Sequence, residues 1–436
     1  MIRLLQISDI HFTDIAGGDD DYAQMKCKFV EDIEACHIEL GKINHILICG
    51  DIAFSGLDSQ YKKARSFIGQ ICAKAECDSV LMVPGNHDKK RDVYINARGM
   101  MRASLLKGKN TKKLLEAKVN EPMSVGILLA PFKQYYKIAA EFACISDMAL
   151  KASGFPESDQ EMEKMPKFLS SDVMYWTEQI DDLNGYKLFI HGGNTSLLSD
   201  KDDGESWNLQ EGKHLQVLPL QAYNVTSGIG EIHLILLHHP LSEVSDGKSI
   251  EKDIDARFRL QFYGHMHKQS SICGDAIKIY SGALQPPEEG NDYFPVYNVV
   301  EIDVVEIDGD PYLKANIFSR KWDGTRFVEY GEETKTGNQA LKVKLPQNDE
   351  WKKTMERITR GESIEGVAEV GETVSPHSIK HAFLRCENTR QIIKAMYEDS
   401  FDNISPNRIK YLAFLKRVEA DGRMSELNDL LNRYGK

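Results

Sequence analysis

No apolar run in the 436 residues comes near the roughly 20 needed to span a bilayer, which excludes a helical membrane protein. The apolar stretch from Met1 to Ile7 is too short for a signal peptide and passes at once into Ser8-Asp9-Ile10-His11, so it reads as a first buried strand. Cysteine is sparse and scattered. Of the eight, the closest pair, Cys72 and Cys77, has neither C-x-x-C nor zinc-ribbon spacing, and free thiols in a reducing cytosol are expected. Positive charge is in deficit, with 54 basic against 66 acidic residues and a net charge of −12. That disfavours a surface that coats nucleic acid and leaves room only for a local basic groove. Internal repeats and low-complexity tracts are absent as well.

What is present suits a large catalytic domain with an appendage. Over the first ninety residues, short β-rich runs (Leu4 to Ile7, Ile46 to Cys49, Val80 to Val83) alternate with helical patterns, as in a sheet covered on both faces. Residues 93–176 turn helical and polar and read as an insertion or lid. Further strands are expected at Lys187 to Ile190, Ile232 to Leu237, Leu260 to Tyr263, Ile277 to Tyr280, Val296 to Ile302 and Tyr312 to Ile317. The division that follows is a catalytic domain over 1–330, a polar linker over 331–350 and a helical C-terminal domain over 351–436.

The chemistry lies in short patterns at strand ends: Asp9-x-His11, Gly50-Asp51, Gly85-Asn86-His87-Asp88, His238-His239-Pro240 and Gly264-His265-Met266-His267. Each alone is weak, since a single His or Asp at a strand end is usually a turn residue. Together they offer carboxylates, an amide oxygen and several imidazoles where α/β sheets collect ligands. Such a set suits paired borderline divalent ions rather than magnesium alone. Water attacks a phosphate at neutral pH only if it is deprotonated and the phosphoryl charge is neutralised, and two ions provide both.

This ordered set resembles the calcineurin-like metallophosphoesterase family, over roughly residues 1 to 325. The resemblance implies an α/β fold of four layers, two central sheets flanked by helices, with the metals at one rim. It implies that Asp9, His11 and His267 hold one ion, that Asn86, His238 and His265 hold the other, and that Asp51 bridges them. His87 would face the substrate as proton donor or charge stabiliser, with Asp88 orienting its ring. Manganese is the first expectation for the ions, iron or zinc the alternatives. The glycines Gly50, Gly85 and Gly264 fit close backbone approaches at the rim.

The neighbouring residues have blander readings beside the functional ones. His239, Lys89 and Arg91 are candidate substrate contacts, although a solvated charge run explains the basic pair and packing explains His239. His191 and the scattered His37, His45, His233, His377 and His381 read as structural. Lys107, Lys109, Lys112, Lys113 and Lys118 could touch nucleic acid or simply solvate a helix. Tyr135 and Tyr136 fit core packing better than base stacking. Residues Ser405 to Tyr434 resemble the end of the death-like effector-associated domains of bacterial conflict systems, which implies recruitment to a protein partner and a role in phage defence. The whole reads as a cytoplasmic two-metal phosphodiesterase acting on a nucleotide or nucleic acid, nucleases included, with no membrane partner. A phosphomonoesterase acting on a phosphoprotein or small ester and a non-catalytic binding scaffold are the alternatives, and the intact ligand set speaks against the scaffold.

Overall fold

The expected apolar runs become strands β1 (Ile2–Ile7), β2 (His45–Ile48) and β3 (Val80–Met82), buried throughout except at Arg3. The computed structural model describes residues 1–14, 22–107, 122–142, 174–199, 216–285, 294–330, 338–359, 388–397 and 407–434, with 379, 380, 382, 383 and 386. Most of the basic cluster (Lys109 to Lys118), the first part of the expected linker, His377 and His381 lie outside these residues. Among the described residues no helix is long and apolar enough to cross a membrane.

Strands β1, β2 and β3 pair in parallel through two helices, α1 (Ala23–Leu40) and α2 (Asp58–Lys74). In α1 the apolar residues Met25, Phe29, Val30, Ile33 and Cys36 recur at helical spacing and are all buried, so one stripe packs on the sheet. On its other edge β1 meets the long antiparallel strands β10 (Val296–Ile307) and β11 (Asp310–Trp322), with β12 (Phe327–Glu329) beyond.

The second sheet runs in the order β4 (Tyr175–Leu183), β5 (Tyr186–Gly193), β6 (Glu231–Leu237), β7 (Leu260–Tyr263), β9 (Ile277–Tyr280), β8 (Ser270–Cys273). Both sheets mix parallel and antiparallel pairs. Strand β6 explains the layering. Its Leu234 and Leu236 enter the main core with the first sheet, while Ile235 and Leu237 enter a second core with Ile250 and Ile254 of the helix Gly247–Arg257 and with Phe258 just after it. A run apolar at every position from Leu234 to Leu237 must be covered on both faces, and here a sheet covers one and a helix the other. The four-layer α/β sandwich is therefore as expected.

Three stretches differ in detail from the sequence reading. Within the insertion, the described stretch Pro122 to Phe142 is no loose cover: Leu128, Leu129, Phe132, Tyr135, Tyr136 and Ile138 belong to the main core, and Tyr135 donates to the Met82 carbonyl at 2.9 Å. Within the expected linker, residues Asn338–Lys344 form β13, which pairs antiparallel with β11. The next helix, Asp349–Thr359, buries Trp351 in the main core. Polarity suggested a boundary there, but β11 is 13 residues long and β12 pairs with only its end, so an open edge remained for β13 to satisfy. Farther on, Ile379, Phe383, Ile392, Phe414, Leu415, Val418 and Leu427 form a separate hydrophobic core of their own.

Candidate metal centre

The carboxyl ends of β1, β2, β3, β6 and β7 open on the same rim, and the sequence places a donor side chain just beyond each. Backbone bonds tie these loops together: Asp9 N–H donates to the Gly50 carbonyl at 3.0 Å, His11 N–H to Asp51 at 3.0 Å, and Gly264 N–H to His238 at 3.0 Å. Asp9, His11, Asp51, His265 and His267 all adopt left-handed backbone angles, with φ from 48° to 66°. Side chains seldom tolerate that region, and such strain concentrates where a site is held for function. Close approach also dictates the glycines. A Cβ on Gly85 would lie 2.0 Å from Asp51 Oδ1, and one on Gly264 would lie 2.1 Å from Ser8 Oγ.

The donors converge as the motifs suggested. Asp9, His11 and His267 form one group whose ligand atoms lie within 4.8 Å of one another, and Asp51 belongs both to a group with Asp9 and His238 and to a group with His11 and His87. His267 Nε2 is 3.0 Å from Asp9 Oδ1, His238 Nε2 is 3.4 Å from Asp51 Oδ2 and 3.0 Å from Asn86 Oδ1, and His11 Nε2 is 3.8 Å from Asp51 Oδ2. Asp51 thus stands between the two ligand groups. His238 Nδ1 donates to the Cys49 carbonyl at 2.8 Å, which fixes the ring and aims Nε2 at the cluster.

Burial opposes ionisation of Asp9, but its hydrogen bond to His267 and the charges around it prevail and lower it to about 2. Burial likewise opposes the charge on Asp51, yet His238 and His87 beside it hold it well below the usual carboxylate range. Burial would also strip the proton from His238, but Asp51 and Asp9 outweigh it and raise it to about 9. His11 and His265, where burial dominates, fall to about 4. Two buried carboxylates, an amide oxygen and the imidazoles of His11 and His265, which burial keeps neutral, therefore face one centre. The donor set fits a pair of borderline divalent ions.

His87 is partly exposed at the rim. Its backbone N–H donates to Asp51 Oδ1 at 2.8 Å and its Nδ1 to the Phe54 carbonyl at 2.8 Å. Asp88 does not orient this ring. Its carboxylate is buried and accepts from the backbone of Ile52, Ala53 and Gly85 and from Tyr61 Oη, clamping the Asp51 loop to the Asn86 loop. The aspartate is spent on four neighbouring donors and the ring is left to Phe54, a role no sequence pattern marks. Lys89 also turns inward: it is buried, with Nζ donating to the carbonyls of Leu197 and Ser199, so it does not face a substrate. Arg91 is half-buried, its Nε enclosed without a hydrogen-bond partner among the described residues. His239 is completely buried against Thr195. His191 and His233 form a buried hydrogen-bonded pair with Tyr175 and Thr177, away from the ligand groups, and Tyr135 and Tyr136 are core residues.

The family model for calcineurin-like phosphoesterases matches residues 2–269. The chain belongs to that family. Among solved structures it resembles a Vps29 double mutant from Entamoeba histolytica, at 9% identity over 79% of this chain and 100% of that one, with a TM-score of 0.29. It also resembles a conserved predicted phosphoesterase from Streptococcus pneumoniae TIGR4, at 11% identity over 76% of this chain and 97% of that one, with a TM-score of 0.26. No curated protein matches.

Proposed function

We propose that this chain is a two-metal phosphodiesterase acting on a nucleotide or nucleic-acid phosphodiester. The observation that carries the reading is the convergence of Asp9, His11 and His267 on one side and Asn86, His238 and His265 on the other, with Asp51 common to both. When bound, two divalent ions would supply a water ionised at neutral pH and neutralise the phosphoryl oxygens. The protein's own part is to hold and orient. With Nδ1 engaged by Phe54, His87 keeps Nε2 available to pass a proton to the leaving oxygen, and its partial exposure suits a group that meets substrate.

The diester and nucleotide part of the proposal rests on the rim. Phe54 is 49% exposed with its ring 5.1 Å from that of His87, and Met266, between two of the ligands, is 43% exposed. Two apolar side chains flanking a charged centre offer a base or other flat leaving group a surface to stack on. A phosphoserine side chain would gain little from them. The test is turnover, with manganese, of bis-p-nitrophenyl phosphate, p-nitrophenyl phosphate, cyclic nucleotides and single- and double-stranded DNA. Faster turnover of the diesters supports the reading; turnover of the monoester alone would replace it with a phosphomonoesterase.

Recruitment of a protein partner through the C-terminal helices, in a phage-defence role, is part of the same proposal. What supports it is the separate core those helices build. Leu427 is buried within that core, so charge placed there tests folding rather than docking.

A further inference from the structure

His239 follows an assigned ligand, and packing was the plainer expectation for it. Its surroundings do not fit plain packing. The residue is completely buried, its backbone N–H donates to Thr195 Oγ1 at 3.2 Å, and its Nδ1 lies 2.8 Å from the same oxygen. Nε2 is enclosed with no hydrogen-bond partner among the described residues. An orphaned buried ring nitrogen is costly, and an ion or a water is the kind of partner that would satisfy one.

The direction in which this nitrogen's neighbours lie is informative. The His239 ring centroid is 4.4 Å from that of His265 and 4.7 Å from that of His238, and the three side chains offer nitrogens all within 4.8 Å of one another. Two nitrogens each about 2.1 Å from one ion at a tetrahedral angle sit about 3.4 Å apart, so the group needs to contract by no more than about 1.4 Å. The hydroxyl of Thr195 has two lone pairs, enough to accept both the backbone N–H and Nδ1–H. That tautomer leaves a lone pair on Nε2. His238 is arranged alike, its Nδ1 on the Cys49 carbonyl and its Nε2 toward the cluster. Metal-binding histidines are fixed by such outer partners.

We propose that His239 Nε2 is a further ligand of the second ion, beside His238, His265 and Asn86, with Thr195 as the residue that positions it. The inference rests on the metal-centre reading above and deepens it. The second position would then carry three imidazoles against two at the first. Nitrogen-rich sites favour zinc, cobalt or iron over manganese, so the two positions should differ in selectivity. Complete burial also takes His239 out of direct substrate contact.

The full-length protein, stripped with chelator, would be titrated with cobalt and zinc by calorimetry and followed by cobalt absorption. Wild type is expected to take up two ions. His239→Gln and His239→Ala should weaken one of the two sites by more than about 100-fold and leave the other unchanged, a larger loss than the roughly 10–100-fold that removal of an outer partner costs. Thr195→Val should fall within that smaller range at the same site. Because it leaves the imidazole in place, it carries the test even if the His239 variants fail to fold. Two ions at wild-type affinity in a folded His239 variant, or in Thr195→Val, would overturn the assignment alone. A wild type that binds no ion would overturn the metal-centre reading and this inference with it.

Discussion

Without metal, the charges of Asp51 and Asp9 hold a proton on His238, and the stability of the metal-free chain should therefore depend on pH in a particular way. His238 has a folded value of about 9 against an ordinary 6.5. A histidine raised in the folded state contributes stability that is complete below the unfolded value and is lost as pH climbs through the folded one. The window is thus pH 6.5 to 9. The difference of about 2.5 units corresponds to an upper bound on the order of 3 kcal/mol, at 1.36 kcal/mol per unit. For a domain of this size that is a fall of roughly 4–5 °C in melting temperature. His11 and His265 act oppositely: depressed to about 4, they withhold stability as pH falls from 6.5 toward 4, so the metal-free chain should melt highest near pH 6.5. The assay is scanning calorimetry in chelator across pH 5 to 9.5, on wild type and on Asp51→Asn. Removing the Asp51 charge removes the largest cause of the raised His238 value, so the fall above pH 6.5 should shrink in the variant. Saturating manganese should abolish it in wild type, since an ion then stands where the proton did. A metal-free wild type whose melting temperature is flat or rising from pH 6.5 to 9, or an identical fall in Asp51→Asn, would refute the argument.

Other outcomes follow from single contacts. Asp51→Asn should bind at least one ion fewer than wild type by metal analysis, because Asp51 belongs to ligand groups on both sides of the centre. His87→Ala should keep its metals and lose roughly 10²–10⁴-fold in turnover of a diester with a poor leaving group, with a smaller loss on a p-nitrophenyl ester; equal losses would make His87 a charge stabiliser. Asp88→Asn puts an amide among three backbone N–H donors and Tyr61, so it should lower the melting temperature and loosen metal binding together, and a change in turnover alone would contradict the clamp. Truncation after Leu345 removes Trp351 from the main core and should destabilise the enzyme on the order of 3–5 kcal/mol, whereas truncation after Thr359 should leave a folded enzyme that hydrolyses a small diester.

The chain alone determined the family, the layered α/β class and which donor side chains meet at the candidate metal centre. The reason is that these depend on residue type and order: an apolar run ending in Asp-x-His or Gly-Asp carries its own strand and its own donor, and the motifs Gly85-Asn86-His87-Asp88 and Gly264-His265-Met266-His267 can be read without knowing what lies across from them. Contacts between segments far apart in the chain were decided only by the tertiary structure. Lys89 looked like a surface cation until the loop at Leu197 and Ser199 closed over its ammonium. Asp88 looked like the partner of its neighbour His87 until four donors from Ile52, Ala53, Gly85 and Tyr61 took its oxygens. Strand β13 read as linker because its polar residues suit solvent, and only the open edge of β11 made it a strand. His239 looked like filler, and only the meeting of β5 and β6 with the loop after β7 set it against Thr195 and beside His238 and His265. A hydrogen bond or a buried pair belongs to the two surfaces that meet, and neither sequence segment holds that information by itself.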